Sequence, residues 1–127
     1  MSKRRPIQTS RAAQAIGPYS QAISTADTVY VSGQIPLDPE SMQLAGDDIE
    51  SQTHQVFANL QAIAEAAGTS LDRALKLTIY LTDLSQFATV NEIMAAKLSE
   101  PFPTRATIEV SALPKGALVE IDAILAL

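Results

Sequence analysis

The sequence predicts an α/β (α+β) fold in which a mixed β-sheet carries two helices packed on one face. Residues 27–34 and 74–82 alternate apolar and polar side chains with a period of two, as half-buried strands do. Apolar positions between residues 49 and 67 recur at steps of three and four, as on an amphipathic helix. Helix-length connections between strands favour parallel neighbours, so the sheet is expected to mix parallel and antiparallel pairs.

Taken in chain order, Gly17-Pro18 is a breaker after which residues 19–24 run extended. In 27–34, Val29, Val31 and Gly33 fall on one face and Thr28, Tyr30, Ser32 and Gln34 on the other. Pro36, Pro39 and Gly46 mark a loop. Asp47 and Glu50 have the spacing of an N-cap with a reciprocating acid. Ile49, Thr53, Val56, Leu60, Ile63 and Ala67 then form the stripe of a helix that stops at Gly68. In 74–82, Leu75, Leu77, Ile79 and Leu81 alternate with Lys76, Thr78, Tyr80 and Thr82. Asp83 or Ser85 caps a shorter helix with the stripe Phe87, Val90, Met94 and Leu98, ended by Pro101 and Pro103. Residues 104–112 and 118–126 read as two strands flanking Leu113-Pro114-Lys115-Gly116, a hairpin turn signal that makes them antiparallel neighbours.

The 127 residues are expected to form a single domain, 1–127. With 46% hydrophobic residues the chain can bury a core, yet it is small enough for oligomerisation to help cover it. A formal net charge of −5 argues against nucleic-acid binding, which rests on clustered Lys and Arg. The basic run Lys3-Arg4-Arg5 reads as a solvated tail. The absence of cysteine excludes disulfides, thiolate zinc sites and cysteine nucleophiles. No apolar run approaches the ~20 residues needed to span a bilayer, so no membrane partner is expected. Residues 1–10 lack the apolar core of a secretory signal. Residues 1–26 lack acids, as transit peptides do, but Gly17-Pro18-Tyr19 already reads as folded domain, so the cytoplasm is the expected location. Neither a phosphate-cradling glycine loop nor a carboxylate-rich metal loop is present, so no cofactor and no metal are expected. The single histidine, His54, falls on the polar side of the long helix with Gln61 and Glu65, a surface position.

If Leu77 and Ile79 face the helices, Thr78, Tyr80 and Thr82 point away. By the same period, Ser32, Arg105, Thr107, Glu109, Glu120 and Asp122 lie opposite the apolar sets of their strands. That face is too polar for a dry core. With Tyr30, Tyr80 and Ile124 it is also more apolar than water usually covers, and a wet subunit interface satisfies both facts. A hairpin turning near Lys115 would set Glu120 opposite Glu109 and separate the Arg105 and Glu120 backbones by roughly 13 Å. That is too far for a tight ion pair, so each charge meets water, a ligand or a neighbouring subunit.

Arg105 presents a planar, permanently charged fork that matches a carboxylate, of a ligand or of a strand neighbour. Glu120 is either a surface glutamate or, if burial lifts its pKa, a base for water and an acid toward a leaving amine. Tyr19 packs or hydrogen-bonds beside the Gly-Pro bend. Ser32 precedes Gly33, where a missing side chain lets a ligand approach the backbone. With His54 elsewhere, Ser32 has no triad. Asn91 edges the apolar stripe of the second helix, presented inward or bordering it.

Five segments together resemble the reactive intermediate deaminase (RidA) family, also called the YjgF family. They are IGPYSQA at 16–22, VSGQIP at 31–36, LTDLSQFATVNE at 81–92, FPTRATIEV at 102–110 and LPKGALVEIDAI at 113–124. Each is weak alone; five in order and at compatible spacing cover nearly the whole chain. The resemblance implies a chorismate-mutase-like subunit assembled as a homotrimer with clefts between subunits. It implies hydrolysis of reactive 2-imino acids or their enamines, such as 2-iminobutanoate and 2-iminopropanoate, to 2-keto acids and ammonia. By matching motif, Arg105 would clamp the substrate carboxylate, and Glu120 and Tyr19 would place the attacking water. Ser32, Gly33, Asn91 and Thr107 would line the cleft. Some relatives are credited instead with an endoribonuclease or translation-inhibitor activity, and a non-catalytic, regulatory binder of small carboxylates would use the same clamp. Thr107 stands where many relatives have cysteine. The connection from Asn91 to Arg105 is shorter than in many of them, and 94–98 lacks their aromatics, which bears on substrate size.

Overall fold

The alternating segments form one six-stranded sheet in the computed structural model, which describes residues 3–127. Met1 and Ser2, part of the expected 1–127 domain, lie outside the described residues. The elements run β1 (Arg5–Ile7), β2 (Ala22–Thr25), β3 (Thr28–Gln34), α1 (Ile49–Ala66), β4 (Ala74–Leu81), α2 (Phe87–Lys97), β5 (Thr104–Glu109) and β6 (Val119–Ala126). Across the sheet the order is β1-β2-β3-β6-β4-β5. The β4–β5 pair, joined through α2, is parallel and its neighbours are antiparallel, so the sheet is mixed, as expected.

The expected hairpin between the last two strands is wrong. β6 inserts between β3 and β4, while β5 pairs with the far side of β4 and forms the sheet edge. The cause is visible in burial. Val119, Ile121, Ala123 and Leu125 are buried along one face of β6, whereas four of the six β5 residues are exposed. A strand with so continuous an apolar face gains most in the middle of the sheet. The Pro114–Gly116 turn is therefore part of a crossing connection, and β5 ends at Glu109 rather than at residue 112.

Three smaller expectations also change. The helix cap is Asp48, not Asp47, because the Asp48 carboxylate accepts the Ser51 N–H at 2.7 Å. Arg5, from the basic run read as a tail, lies in β1, opposite Ser24 of β2, with Ile7 of the same strand buried. In β3 the register shifts between Val31 and Gln34, so Gln34, not Gly33, returns to the buried side. The helix stop stands: Gly68 adopts φ +85°, and its N–H meets the Glu65 carbonyl at 3.0 Å.

Val56, Phe57, Leu60 and Ile63 of α1 and Val90, Ile93 and Met94 of α2 join Leu77, Ile79, Leu81, Ile121 and Leu125 in one core between the helices and the sheet. Two buried amides of α1 fix the flanking loops. Gln52 donates to the Gly46 carbonyl and accepts the Leu118 N–H at 2.8 Å, and Asn59 donates to the Leu37 carbonyl at 3.0 Å. His54 is exposed, as its helix position predicted.

Candidate functional site

In β4, Leu77, Ile79 and Leu81 face the helices. Their partners across the parallel pair are Arg105, Thr107 and Glu109, and in-register residues of neighbouring strands share a face. Arg105 therefore points toward α2. The expected common polar face for Arg105, Thr107, Glu109 and Glu120 is overturned. β5 is an edge strand with no clear apolar side, so period two alone left its orientation open.

The Arg105 guanidinium is held from three sides. Nη1 donates to Asn91 Oδ1 at 2.6 Å and lies 3.9 Å from Met94 Sδ, and Cζ stands 4.9 Å from the centre of the Phe87 ring. No ion pair among the described residues engages it. Most of its five N–H donors are left for an incoming group. Asn91, Met94, Ala95, Phe102, Pro103 and Arg105 line a cleft of about 480 Å³. Glu109 instead closes a backbone turn, accepting the Leu84 N–H at 2.9 Å. Thr107, two residues on from Arg105 along the same side of β5, has a buried Oγ1 with no protein partner.

Glu120 stands on the other face of β6, opposite the buried Val119 and Ile121. It shares that open face with Asp122, Tyr80, Ile124 and Tyr30, the partly apolar, partly acidic surface that the sequence predicted. Tyr80 Oη donates to Asp122 Oδ2 at 3.0 Å. Desolvation raises the Glu120 carboxyl above its ordinary value of 4.5, and the nearby Asp122 charge raises it further. A Cβ added at Gly33 would lie 2.9 Å from the Glu120 carboxyl carbon, so the missing side chain is what admits the acid. Tyr19, Gly33, Gln34, Ile35, Lys115 and Glu120 are among the residues lining a second cleft, of about 380 Å³. Tyr19 is half exposed there, its Oη accepting the Ile16 N–H at 3.3 Å. Ser32 is not among the lining residues of either cleft. Its hydroxyl donates to the Ser20 carbonyl at 2.6 Å and so tethers the segment that carries Tyr19.

The candidates thus divide. Arg105, Asn91 and Thr107 gather on the helix side of an edge strand. Tyr19, Gly33 and Glu120 gather on the open side. Arg105 is two strands from Glu120 and three residues out of register with it, roughly 14 Å through the backbone, so the expected absence of an intrachain pair stands. Sequence reasoning did not assign Phe102, Pro103 and Ala95 to the Arg105 cleft or Lys115 to the other. The Pro-flanked exposed aromatic at 102 was the available signal.

Among the described residues, no cluster of three or more metal-ligating side chains occurs and no helix is long and apolar enough to cross a membrane. The model of the family described as Endoribonuclease L-PSP matches residues 9–127. The crystal structure of RidA from a Psychrobacter species superposes with a TM-score of 0.94 at 52% identity, covering 98% of this chain and 100% of that one. A human protein named 2-iminobutanoate/2-iminopropanoate deaminase is 44% identical over 95% of this chain and 88% of its own. The crystal structure of Escherichia coli TdcF with bound serine has a TM-score of 0.89 at 37% identity, covering 97% of this chain and 98% of that one.

Proposed function

The chain belongs to the endoribonuclease L-PSP family, also known as the YjgF or RidA family, and from that membership we propose that it hydrolyses reactive 2-imino acids to 2-keto acids and ammonia. The observation that carries the reading is an arginine held in a cleft with no carboxylate partner among the described residues, in a chain similar to proteins named for this deamination. The active unit is a homotrimer of single-domain subunits, working in the cytoplasm without metal or cofactor. Each site forms where the Arg105 cleft of one protomer meets the Glu120 cleft of the next. The split of the candidates between two faces supports this, because Arg105 and Glu120 stand in separate clefts of one protomer, too far apart to meet on one substrate. The exposed β5 edge and the half-apolar open face supply surface for such contacts.

Arg105 takes the substrate carboxylate in a bidentate grip, with Asn91 and Phe87 fixing the guanidinium and Thr107 beside it on β5. The imine carbon is then held next to the neighbour's Glu120 and Tyr19, which removes much of the orientational cost. Ionised Glu120 accepts a proton from water as its oxygen bonds to C2, and the C=N electron pair moves to nitrogen. The proton returns through Glu120 to that nitrogen, giving the carbinolamine. Glu120 then carries the C2 hydroxyl proton to the amino group as the C–N bond breaks, and ammonia leaves with the 2-keto acid. Tyr19 hydrogen-bonds the water, Gly33 keeps room for it, and Ser32 holds the Tyr19 segment in place through the Ser20 carbonyl.

Added to a threonine dehydratase reaction, the protein speeds the appearance of 2-oxobutanoate; an unchanged rate contradicts the reading. Because the base must be ionised, kcat/KM falls below an acid limb whose midpoint lies above the ordinary 4.5. Asp122→Asn removes a like charge and moves that midpoint down. The stability sign follows. A raised carboxyl favours the folded state below 4.5, and that contribution is lost as pH rises through the folded value. Glu120→Gln therefore raises Tm at pH 7 while lowering activity, which a thermal melt at two pH values checks.

A second reading, a binder of small amino or keto acids without turnover, is favoured by the serine bound in TdcF. It predicts carboxylate binding and an unchanged dehydratase assay. RNA cleavage, the reading behind the family's name, is disfavoured by the net charge of −5.

A further inference from the structure

We propose that Phe102, with Met94, Ala95 and Pro103, selects substrates with extended apolar side chains, such as the imines of leucine and methionine, over those of alanine or acidic amino acids. The proposal rests on Arg105 binding the substrate carboxylate. Within the Arg105 cleft, Asn91 is the other polar residue, and its Oδ1 already accepts from Arg105. Beyond the guanidinium the wall consists of a thioether, a methyl, a phenyl ring and a pyrrolidine, with no second cation and no acid. The Phe102 ring is 52% exposed, an unusual position for so large an apolar group, and becomes covered if a ligand lies against it. A ligand held by its carboxylate has its side chain within reach of this wall. An apolar chain displaces water there, whereas a second carboxylate loses solvation against a wall that offers it no cation.

Imino acids made in situ by an amino-acid oxidase from leucine, methionine, alanine and glutamate provide the test, with residual imine trapped by semicarbazide. For wild type, kcat/KM with the leucine imine exceeds that with the alanine imine by about tenfold or more, and the glutamate imine ranks last. Phe102→Ala collapses the ratio of leucine to alanine at least several-fold, chiefly through KM, and Phe102→Leu restores most of it. Calorimetric binding of the matching 2-oxo acids gives an independent ranking. Turnover without the ranking, or a Phe102→Ala variant that keeps it, overturns the proposal and leaves the deaminase reading standing. The same ranking in binding with no turnover overturns the deaminase reading and supports this one. If none of the four oxo acids binds and none of the four imines is turned over, both fall.

Discussion

Arg105→Ala lowers kcat/KM by about 10²- to 10⁴-fold, the equivalent of two charge-assisted hydrogen bonds at ~1.5–3 kcal/mol each. The side chain is exposed, and its protein contacts are one hydrogen bond to Asn91, a long contact to Met94 and the Phe87 ring. Its removal leaves the core intact, so the melting temperature changes little. Arg105→Lys keeps the charge but not the fork and recovers only part of the rate. Asn91→Ala falls between, because the guanidinium keeps its charge but loses the acceptor that orients it. Steady-state kinetics on the three variants, beside a thermal melt of each, checks the order. A variant ranking that follows stability rather than the fork contradicts the clamp.

The second large effect comes from a side chain that is absent. Gly33→Ala places a methyl against the Glu120 carboxyl, which must then leave its position beside the Tyr19 cleft. The backbone at Gly33 is not in the left-handed region, so alanine there brings no torsional strain, and the cost is the contact itself. The expected result is a loss of roughly 10²-fold or more in kcat, typical of a displaced general base, with KM little changed. The double-mutant cycle is diagnostic. In a Glu120→Ala background, Gly33→Ala has almost no further effect, because the group it would displace is gone. Additive losses contradict a shared site for the glycine and the acid.

How much of this was legible in the residues depends on how local each signal is. The helix from Ile49 to Ala66 was readable because its stripe and Gly68 act within a few turns, although the cap fell one residue on, at Asp48 instead of Asp47. β4 and β6 were readable because each buries one face, so alternation shows. β1 was missed since three residues carry too little pattern. The false hairpin arose from the turn chemistry of Leu113-Pro114-Lys115-Gly116, a local signal, where the pairing of β6 was set by the burial it gains between β3 and β4. Nothing within ten residues of Glu120 announces that β4 will separate it from β5. The site residues were nameable by chemical type, and Tyr19, Gly33 and Glu120 do meet, as do Arg105 and Asn91. That the two groups stand on opposite faces was not readable. β5 has four exposed residues of six, and with no buried set to mark its inner side, Arg105 could be placed on either face.

That opposition yields the sharpest test. Arg105→Ala and Glu120→Gln proteins, each inactive alone, are denatured, mixed in equal amounts and refolded together. If every site takes its arginine from one protomer and its glutamate from the next, one interface in four of a random mixture carries both. Activity then returns to about a quarter of wild type. If each protomer completes its own site, the mixture stays as inactive as its parts even where sizing and mass analysis show mixed oligomers, and the account of a divided site is wrong.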